Sequence, residues 1–522
     1  MTWLVPLVVL VPLIGAGFAL ASARRQKLQI AIAVGTMVVA LAVSVTMLAV
    51  VHLGDATLVI QGGGWAAPFG ISLVVDRLSA LMVVVTSVVL LGVMIFSIGQ
   101  GAADGDEETP VSIFYPTYLV LAAGVYNAFI AGDLFNLYVG FEILLVASFV
   151  LITLGGTASR LKAGVTYIIV SLVSSILFLG AVGAIYGAVG TVNLAEVSVR
   201  IAQLPQSTQL VLHLALLIAF GIKAALFPLS FWLPDSYPSA PAPVTAVFAG
   251  LLTKVGVYAI LRTESVLFAS NDISTLLMIV AMLTMVVGIL GAVAQAGIRR
   301  MLSFTLVSHI GYMIFGIALG TEAGWAATVF YIVHHIVVQT TLFLVTGLIE
   351  RVAGSSSLTH LAGMLKRAPY IAVLFFIPML NLGGIPPFSG FIGKLGLFTA
   401  GAEVGGWLVY TAIALGALTS LLTLYALVRV WNLGFWRRKD ELEDFSSPLT
   451  AQLTDTPESA VVTETKQSSH LMTAATATMV AVSVLITVFA GPIYEIADQA
   501  ADNLSGGGDY VDAVHSESGE GE

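Results

Sequence analysis

Seven ionisable side chains stand inside apolar stretches that give them no water. Glu142 lies in "GDLFNLYVGFEILLVASFVL", Lys223 in "GIKAALFPLSFWLPDSYPSAPAPV" and Lys254 in "VFAGLLTKVGVYAIL". His309 lies in "LSFTLVSHIGYMIF", His334 and His335 in "FYIVHHIVVQTTLFL", and Lys394 in "LNLGGIPPFSGFIGKLGLF". In the middle of a bilayer a charged residue costs about 2.5–3.5 kcal/mol on insertion scales, so it faces a bundle interior, a partner or water. Any one buried lysine or glutamate taken alone is compatible with a structural ion pair, and His309 alone reads as a packing histidine. His334 and His335 point about 100° apart around a helix, so only one of them is expected to face a polar interior. Together, a glutamate, three lysines and three histidines on six apolar runs have the composition of a proton relay. Lysine suits such a relay because an apolar surrounding disfavours its charged form.

The elements that position these groups are membrane helices. The chain is 58% hydrophobic and 10% charged, with mean hydropathy +0.99. Apolar runs of roughly 18 residues or more, each able to cross about 30 Å of hydrocarbon, recur from end to end. About fourteen are read by hydropathy, near 3–22, 28–50, 77–98, 113–131, 133–154, 163–188, 208–229, 242–262, 273–297, 302–320, 325–349, 370–399, 407–434 and 471–492. The fold class is an all-α polytopic membrane protein. The opening "MTWLVPLVVLVPLIGAGFALASARRQK" has signal-peptide features, but the many later spans favour a first helix. Basic residues cluster after alternate runs: Arg24, Arg25 and Lys27; Arg160 and Lys162; Arg299 and Arg300; Arg351, Lys366 and Arg367; Arg437, Arg438 and Lys439. The opposite loops keep only Arg77, Arg200 and Arg262. Cytoplasmic loops collect Lys and Arg, so both termini are expected outside the cell membrane.

Prolines explain the surroundings of two of the lysines. Proline removes an N–H and clashes one turn back, so "FPLSFWLP" breaks the seventh run just past Lys223 and "GGIPPFSG" breaks the twelfth just before Lys394. Non-helical backbone at membrane depth survives only where protein buries it or water reaches it. A charged, interrupted helix in each half of the chain points to two inverted five-helix repeats, 113–262 and 273–434, with Lys223 and Lys394 in matching positions. Around them the expected divisions are N-terminal helices at 1–112, a cytoplasmic polar loop at 435–470, a last helix at 471–492 and an acidic external tail at 493–522.

Other residues carry plainer readings. Asp133, after Gly132, reads as a helix N-terminal cap. His213, Trp232 and Arg429 read as interfacial. Ser171, Ser174 and Ser175 read as mediators of close helix packing, with Ser174 an accessory candidate. There is no cysteine, which excludes a disulfide frame, an iron–sulfur cluster and a thiolate metal site. The net charge of −9 comes largely from "DGDEE" at 104–108, "DELED" at 440–444 and the tail after Asp498. With the Ser/Thr-rich stretch 446–469 these segments read as solvated, and no nucleic-acid footprint, phosphate loop or nucleophile motif stands out. No cofactor and no metal are called for.

The three longest motifs, "GDLFNLYVGFEILLVASFVLI", "GIKAALFPLSFWLPDSYPSAPAPVTAVFAGLLTKVGVYAILR" and "NLGGIPPFSGFIGKLGLF", resemble the antiporter-like proton-translocating family. That family includes membrane-arm subunits of respiratory complex I, membrane-bound hydrogenase subunits and the large subunits of Mrp multisubunit cation/proton antiporters. The resemblance covers roughly residues 60–440. It implies that Glu142 is the key glutamate, Lys223 the lysine on the broken helix, Lys254 the bridging lysine and Lys394 the terminal charged group. It also matches His309 and one of His334 and His335 to the histidine-containing connection. "APAPVTAVFAGLLTKVGVYAILR", a lysine at 394 and an end after about fourteen helices are most similar to the Mrp D type. One departure is Gln339, which stands where the family has a lysine. Glutamine carries no proton, which places more weight on the histidines, Thr340 and water.

The resemblance implies proton movement through two half-channels joined by a mid-membrane polar axis, driving sodium out through a complex with subunits of the Mrp A, B, C, E, F and G type. Two other readings stay open at this point. A proton-pumping arm of complex I or a hydrogenase would use the same groups and differ in its neighbouring subunits. A non-transporting scaffold would hold the same charges as dry ion pairs.

Overall fold

The computed structural model describes residues 1–54, 56–101, 111–269, 272–438, 441, 469–505 and 508–519. The acidic segments at 104–108 and 440–444 (apart from Glu441) and nearly all of 446–469 lie outside the described residues. Thirteen described helices are long and apolar enough to cross a membrane. They begin with α1 (Leu4–Ala21), α2 (Gln26–Gly54), α3 (Arg77–Gln100), α4 (Val111–Ile130), α5 (Leu134–Thr153) and α6 (Ala158–Val189). After a short α7 (Leu194–Ile201) come α8 (Gln206–Ala224), α9 (Ala242–Leu267), α10 (Ser274–Val293), α11 (Ile298–Ala318) and α12 (Glu322–Ala353). The twelfth apolar run is two helices, α13 (Pro369–Gly383) and α14 (Ser389–Val404), which is why the count is thirteen rather than fourteen. The remaining spans are α15 (Trp407–Val430) and α16 (His470–Val488).

Both expected breaks are present. The helix α8 stops at Ala224, and Ala225 takes a left-handed conformation (φ 59°) before the backbone runs irregularly to Leu233. Between α13 and α14 the turn starts at Gly384, φ 78°. A β-carbon there would meet Lys394 Nζ at 3.1 Å, so glycine lets the backbone pass close over the lysine. Helix α9 is continuous but not regular. A π turn at Phe248–Leu252 interrupts it just before Lys254, and a second at Thr263–Leu267 ends it.

The buried volume is centred on α12, in which every residue from Gly324 to Ile349 is buried, and on α9, buried along its whole apolar window. Helices α1, α2 and α6 expose large apolar faces, including Phe18, Val38, Val165 and Ile176, in the pattern of lipid-facing surfaces. At one end of the bundle β1 (Leu58–Gln61) and β2 (Ser72–Val75) form an antiparallel hairpin that the hydropathy reading passes over. The same end gathers Asp76, Arg262, Asp133, α7 and the start of α12. The opposite end gathers Arg299 with Glu350 and with the carbonyls of Pro238 and Ala240, and Arg300 with Asp235 at 2.7 Å.

Four expectations fail in instructive ways. The stretch 493–522 is not a solvated tail. Its described part forms α17 (Ala490–Ser505) and α18 (Gly508–Gly519), with Ala497, Ala500, Ala501, Leu504, Tyr510 and Val514 buried. Small and apolar residues recur at three- and four-residue steps, so one face of α17 docks against α12 while the acids face away. His213 is not interfacial: it is 1% exposed, bonds Glu264 at 2.5 Å and stacks on Phe268 with ring centroids 4.1 Å apart. Trp232 is buried too, and its indole N–H donates to Ile222 O at 3.1 Å, capping the broken end of α8. Arg262, read as a loop residue, is 3% exposed and makes a bidentate pair with Asp76 at 2.6 and 2.9 Å. Removing one member of such a pair strands a buried charge, at a cost of about 3–5 kcal/mol.

Candidate functional site

The break after α8 creates the surroundings of Lys223. With the helix ended, the lysine sits in the last turn, 8% exposed, beside a cavity of about 20 Å³ lined by Phe141, Tyr167, Ser171, Trp232 and Tyr237. That volume admits one water. The ammonium reaches Ser171 O and Ser175 Oγ, both at 3.4 Å, and lies 5.9 Å from the centre of the Phe141 ring. These contacts are long, so water is the natural remaining partner. Glu142 follows Phe141 on α5 and its charge acts on Lys223, yet no ion pair within 4.0 Å joins them. Glu142 is only partly buried, and its Oε1 has no hydrogen-bond partner among the described residues.

Lys254 is fully buried, and its Nζ donates to Ala249 O at 2.7 Å, inside the π turn that precedes it. On the adjacent Thr253 and on α12 the described residues leave polar atoms unsatisfied: Thr253 Oγ1, both nitrogens of His335 and Gln339 Oε1. Buried polar groups are rarely left orphaned, so this cluster is a place for ordered water. Gln339 Nε2 donates to Leu302 O at 2.8 Å and Thr340 Oγ1 to Ala246 O at 3.3 Å, which ties α12 to α11 and α9.

The histidines lead on to Lys394. The His309 and His335 rings are 5.1 Å apart, and both residues feel the charges of Lys254 and Lys394. His309 Nδ1 hydrogen-bonds Tyr331 OH at 2.7 Å, and its Nε2 is 3.5 Å from Thr423 Oγ1. His334 Nδ1 hydrogen-bonds Ser389 Oγ at 3.0 Å, while its Nε2 has no partner among the described residues. Both members of the pair are buried: His334 bonds Ser389, while neither nitrogen of His335 has a hydrogen-bond partner among the described residues. Lys394 Nζ donates to Leu382 O at 3.0 Å and Ser420 Oγ at 2.9 Å and sits 5.3 Å from the Tyr312 ring. The carbonyl at Leu382 belongs to the final turn of α13, among those a helix end leaves unpaired.

The seven ionisable groups thus fall into two clusters, Glu142 with Lys223 and Lys254 with the histidines and Lys394. The accessory residues divide. Asp133 caps α5, its Oδ1 accepting from the amides of Phe135 and Asn136 at 2.8 and 2.9 Å. Ser174 Oγ donates to Ala219 O at 2.9 Å, a packing contact between α6 and α8. Ser389, Ser420, Tyr312 and Tyr331 contact the charged groups but escape sequence reading, and Ser175, read as a packing residue, reaches Lys223. Only Ser389 had a local signal, its place in "PPFSG" at the start of a helix.

An apolar bundle with two helices broken beside buried lysines, and buried histidines between, defines a class: the chain belongs to the NADH:quinone oxidoreductase/Mrp antiporter transmembrane family, whose model matches residues 131–423. The match spans every one of the seven ionisable groups. Relatives include the D-type subunit of the Na(+)/H(+) antiporter of Alkalihalophilus pseudofirmus, 36% identical over 98% of this chain and 99% of that one. The corresponding D-type chain of Bacillus subtilis is 38% identical over 73% of this chain and 76% of its own. A chain in the Mrp complex structure from Dietzia sp. superposes with a TM-score of 0.87 at 31% identity, covering 98% of this chain and all of that one. A chain of the archaeal membrane-bound sulfane sulfur reductase superposes equally well at 24% identity, which shows the shared fold.

Proposed function

We propose that this chain is the proton-translocating D-type subunit of a multisubunit sodium/proton antiporter. The observation that carries the reading is the run of buried, under-bonded ionisable groups from Lys223 through Lys254 and the histidines to Lys394. A scaffold would match each buried charge with an opposite one, yet none of the three lysines has a carboxylate within 4.0 Å among the described residues. Protons would enter beside Lys223, where the end of α8 admits water, and Glu142 would hold and release the neighbouring proton. Lys254, His309, His334 and His335 would pass protons towards Lys394. The regions 113–262 and 273–434 would be the two half-channels, related as inverted repeats by their matching broken helices.

The similarity to D-type antiporter chains and to the Mrp complex supports assembly with subunits of the A, B, C, E, F and G type in the cell membrane. The basic end bearing Arg299 and Arg300 would face the cytoplasm, and both termini would lie outside. Protons moving inward would drive sodium outward. In everted vesicles from cells that lack other sodium/proton antiporters, the assembled complex should collapse a respiration-generated pH gradient on addition of sodium. The same complex without this chain should not. Equal collapse in both preparations would remove the proposed role.

A further inference from the structure

We propose that Arg262, Asp76, Tyr258 and Tyr510 form a stopper that prevents protons from leaving the first half of the bundle directly, which forces them sideways to Lys394. The inference rests on the proton-relay reading above and adds what keeps that relay from short-circuiting. Lys254, Tyr258 and Arg262 are spaced four residues apart on α9, so they line one face of the helix. That face runs from Lys254 towards the end of the bundle that carries the hairpin and α18, a distance of roughly 12 Å from Lys254 to Arg262. All three are buried, as are Asp76 and Tyr510. A polar column of this kind is a ready proton exit, unless its hydrogen bonds forbid one.

They do forbid it. A group that relays a proton outward must accept on its inner side and donate on its outer side. The Tyr258 hydroxyl gives its only proton to Phe129 O at 2.6 Å, and it accepts from Arg262 Nη2 at 3.1 Å. Its outer neighbour is thus a guanidinium, which does not release a proton at any working pH and offers no lone pair. The other Arg262 bonds go to both oxygens of Asp76 and hold the guanidinium in place beside Tyr258. A guanidinium set across a polar pathway is a known way for a protein to exclude protons electrostatically.

The column is also covered. The Tyr510 ring of α18 lies over the guanidinium, 5.2 Å from it, and its buried hydroxyl finds no hydrogen-bond partner among the described residues. This lid reaches the hairpin and α7. Among the described residues no buried arginine–aspartate pair stands at the same end of the second half. There Glu403 and Tyr494, with Ala323 and residues of α14, border a shallow surface groove of about 340 Å³ that no arginine among the described residues lines. The two halves therefore differ at one face: a fixed cation stands in the first, and a carboxylate borders a surface groove in the second.

The test is passive proton leak through the assembled complex in proteoliposomes, without sodium, read as decay of an imposed pH gradient. Asp76→Asn with Arg262→Gln removes both charges together and strands neither. Its gradient should decay about twofold faster than the parent's or more, since the two opposite charges largely cancel at Lys254 and the main effect is loss of the guanidinium that blocks the column. Adding Lys254→Met should return the leak to the parent level, because the escaping protons would come through that lysine. An assembled double variant that holds its gradient as well as the parent overturns the stopper. So does a leak that Lys254→Met leaves unchanged, since that is general damage to the bundle. If the double variant does not assemble, Tyr510→Ala, which uncovers the guanidinium to water, is read the same way: faster, Lys254-dependent decay supports the stopper and parental decay overturns it. Loss of the antiport function itself would show in sodium-driven exchange and leave this sodium-free leak measurement interpretable.

Discussion

Glu142→Gln should reduce sodium-dependent proton exchange to the level of vesicles lacking the complex, while the complex assembles in normal amount. The substitution keeps the shape of the side chain and its ability to accept a hydrogen bond at Oε1, and removes only ionisation. Glu142 is the acid that acts on Lys223 among the described residues, and it is only partly buried, with its Oε1 unpaired among them. A structural carboxylate would be held by donors, as Asp133 is by two backbone amides and Asp76 by Arg262. Glu142 is held by none of that kind, so its contribution should appear in turnover and not in stability. Exchange at the parental rate in the Gln variant would sink its role.

Lys223→Ala should likewise abolish exchange, and Lys223→Arg should fail to restore it. Alanine leaves the cavity beside Phe141 and Tyr167 without a proton carrier. Arginine keeps the positive charge but never gives up its proton. Its planar head must also fit where about 20 Å³ is free, against Trp232 and Tyr237. Exchange measured in vesicles with matched subunit content separates two explanations. If arginine supports the parental rate, Lys223 is a fixed counter-charge, and proton transfer at that position is wrong.

The parts of this architecture that were readable from sequence are those whose cost is local. A lysine in an apolar run is conspicuous wherever its partners lie, and so is a pair of prolines in a membrane helix. Lys223, Lys254, Lys394 and the two breaks therefore stood out one by one. Asp133 was legible because a cap bonds its own next residues. The failures have the opposite character. Arg262 and Asp76 are 186 residues apart and His213 and Glu264 are 51 apart, so neither half of either pair reveals its partner. Arginine near the end of an apolar run looks like an interfacial anchor until a second helix places a carboxylate beside it. The C-terminal stretch misled because its acids dominate composition, while its docking face is built of small alanines that carry little hydropathic weight. The irregular backbone of α9 is equally silent. A π turn adds one residue to a helical turn and leaves the hydrophobic character of "VFAGLLTK" intact.

The central claim is that water joins these groups into one path, since their direct contacts leave gaps between Lys223, Lys254 and Lys394. The most direct measurement is an electron cryomicroscopy map of the assembled complex in lipid, at a resolution that shows ordered water. The account predicts water beside Lys223 at the end of α8, water among Thr253, His335 and Gln339, and water between His309 or His334 and Lys394, each step spanned by one or a few molecules. A dry, uninterrupted apolar layer between Lys254 and Lys394, or a Lys394 turned towards lipid, would contradict it.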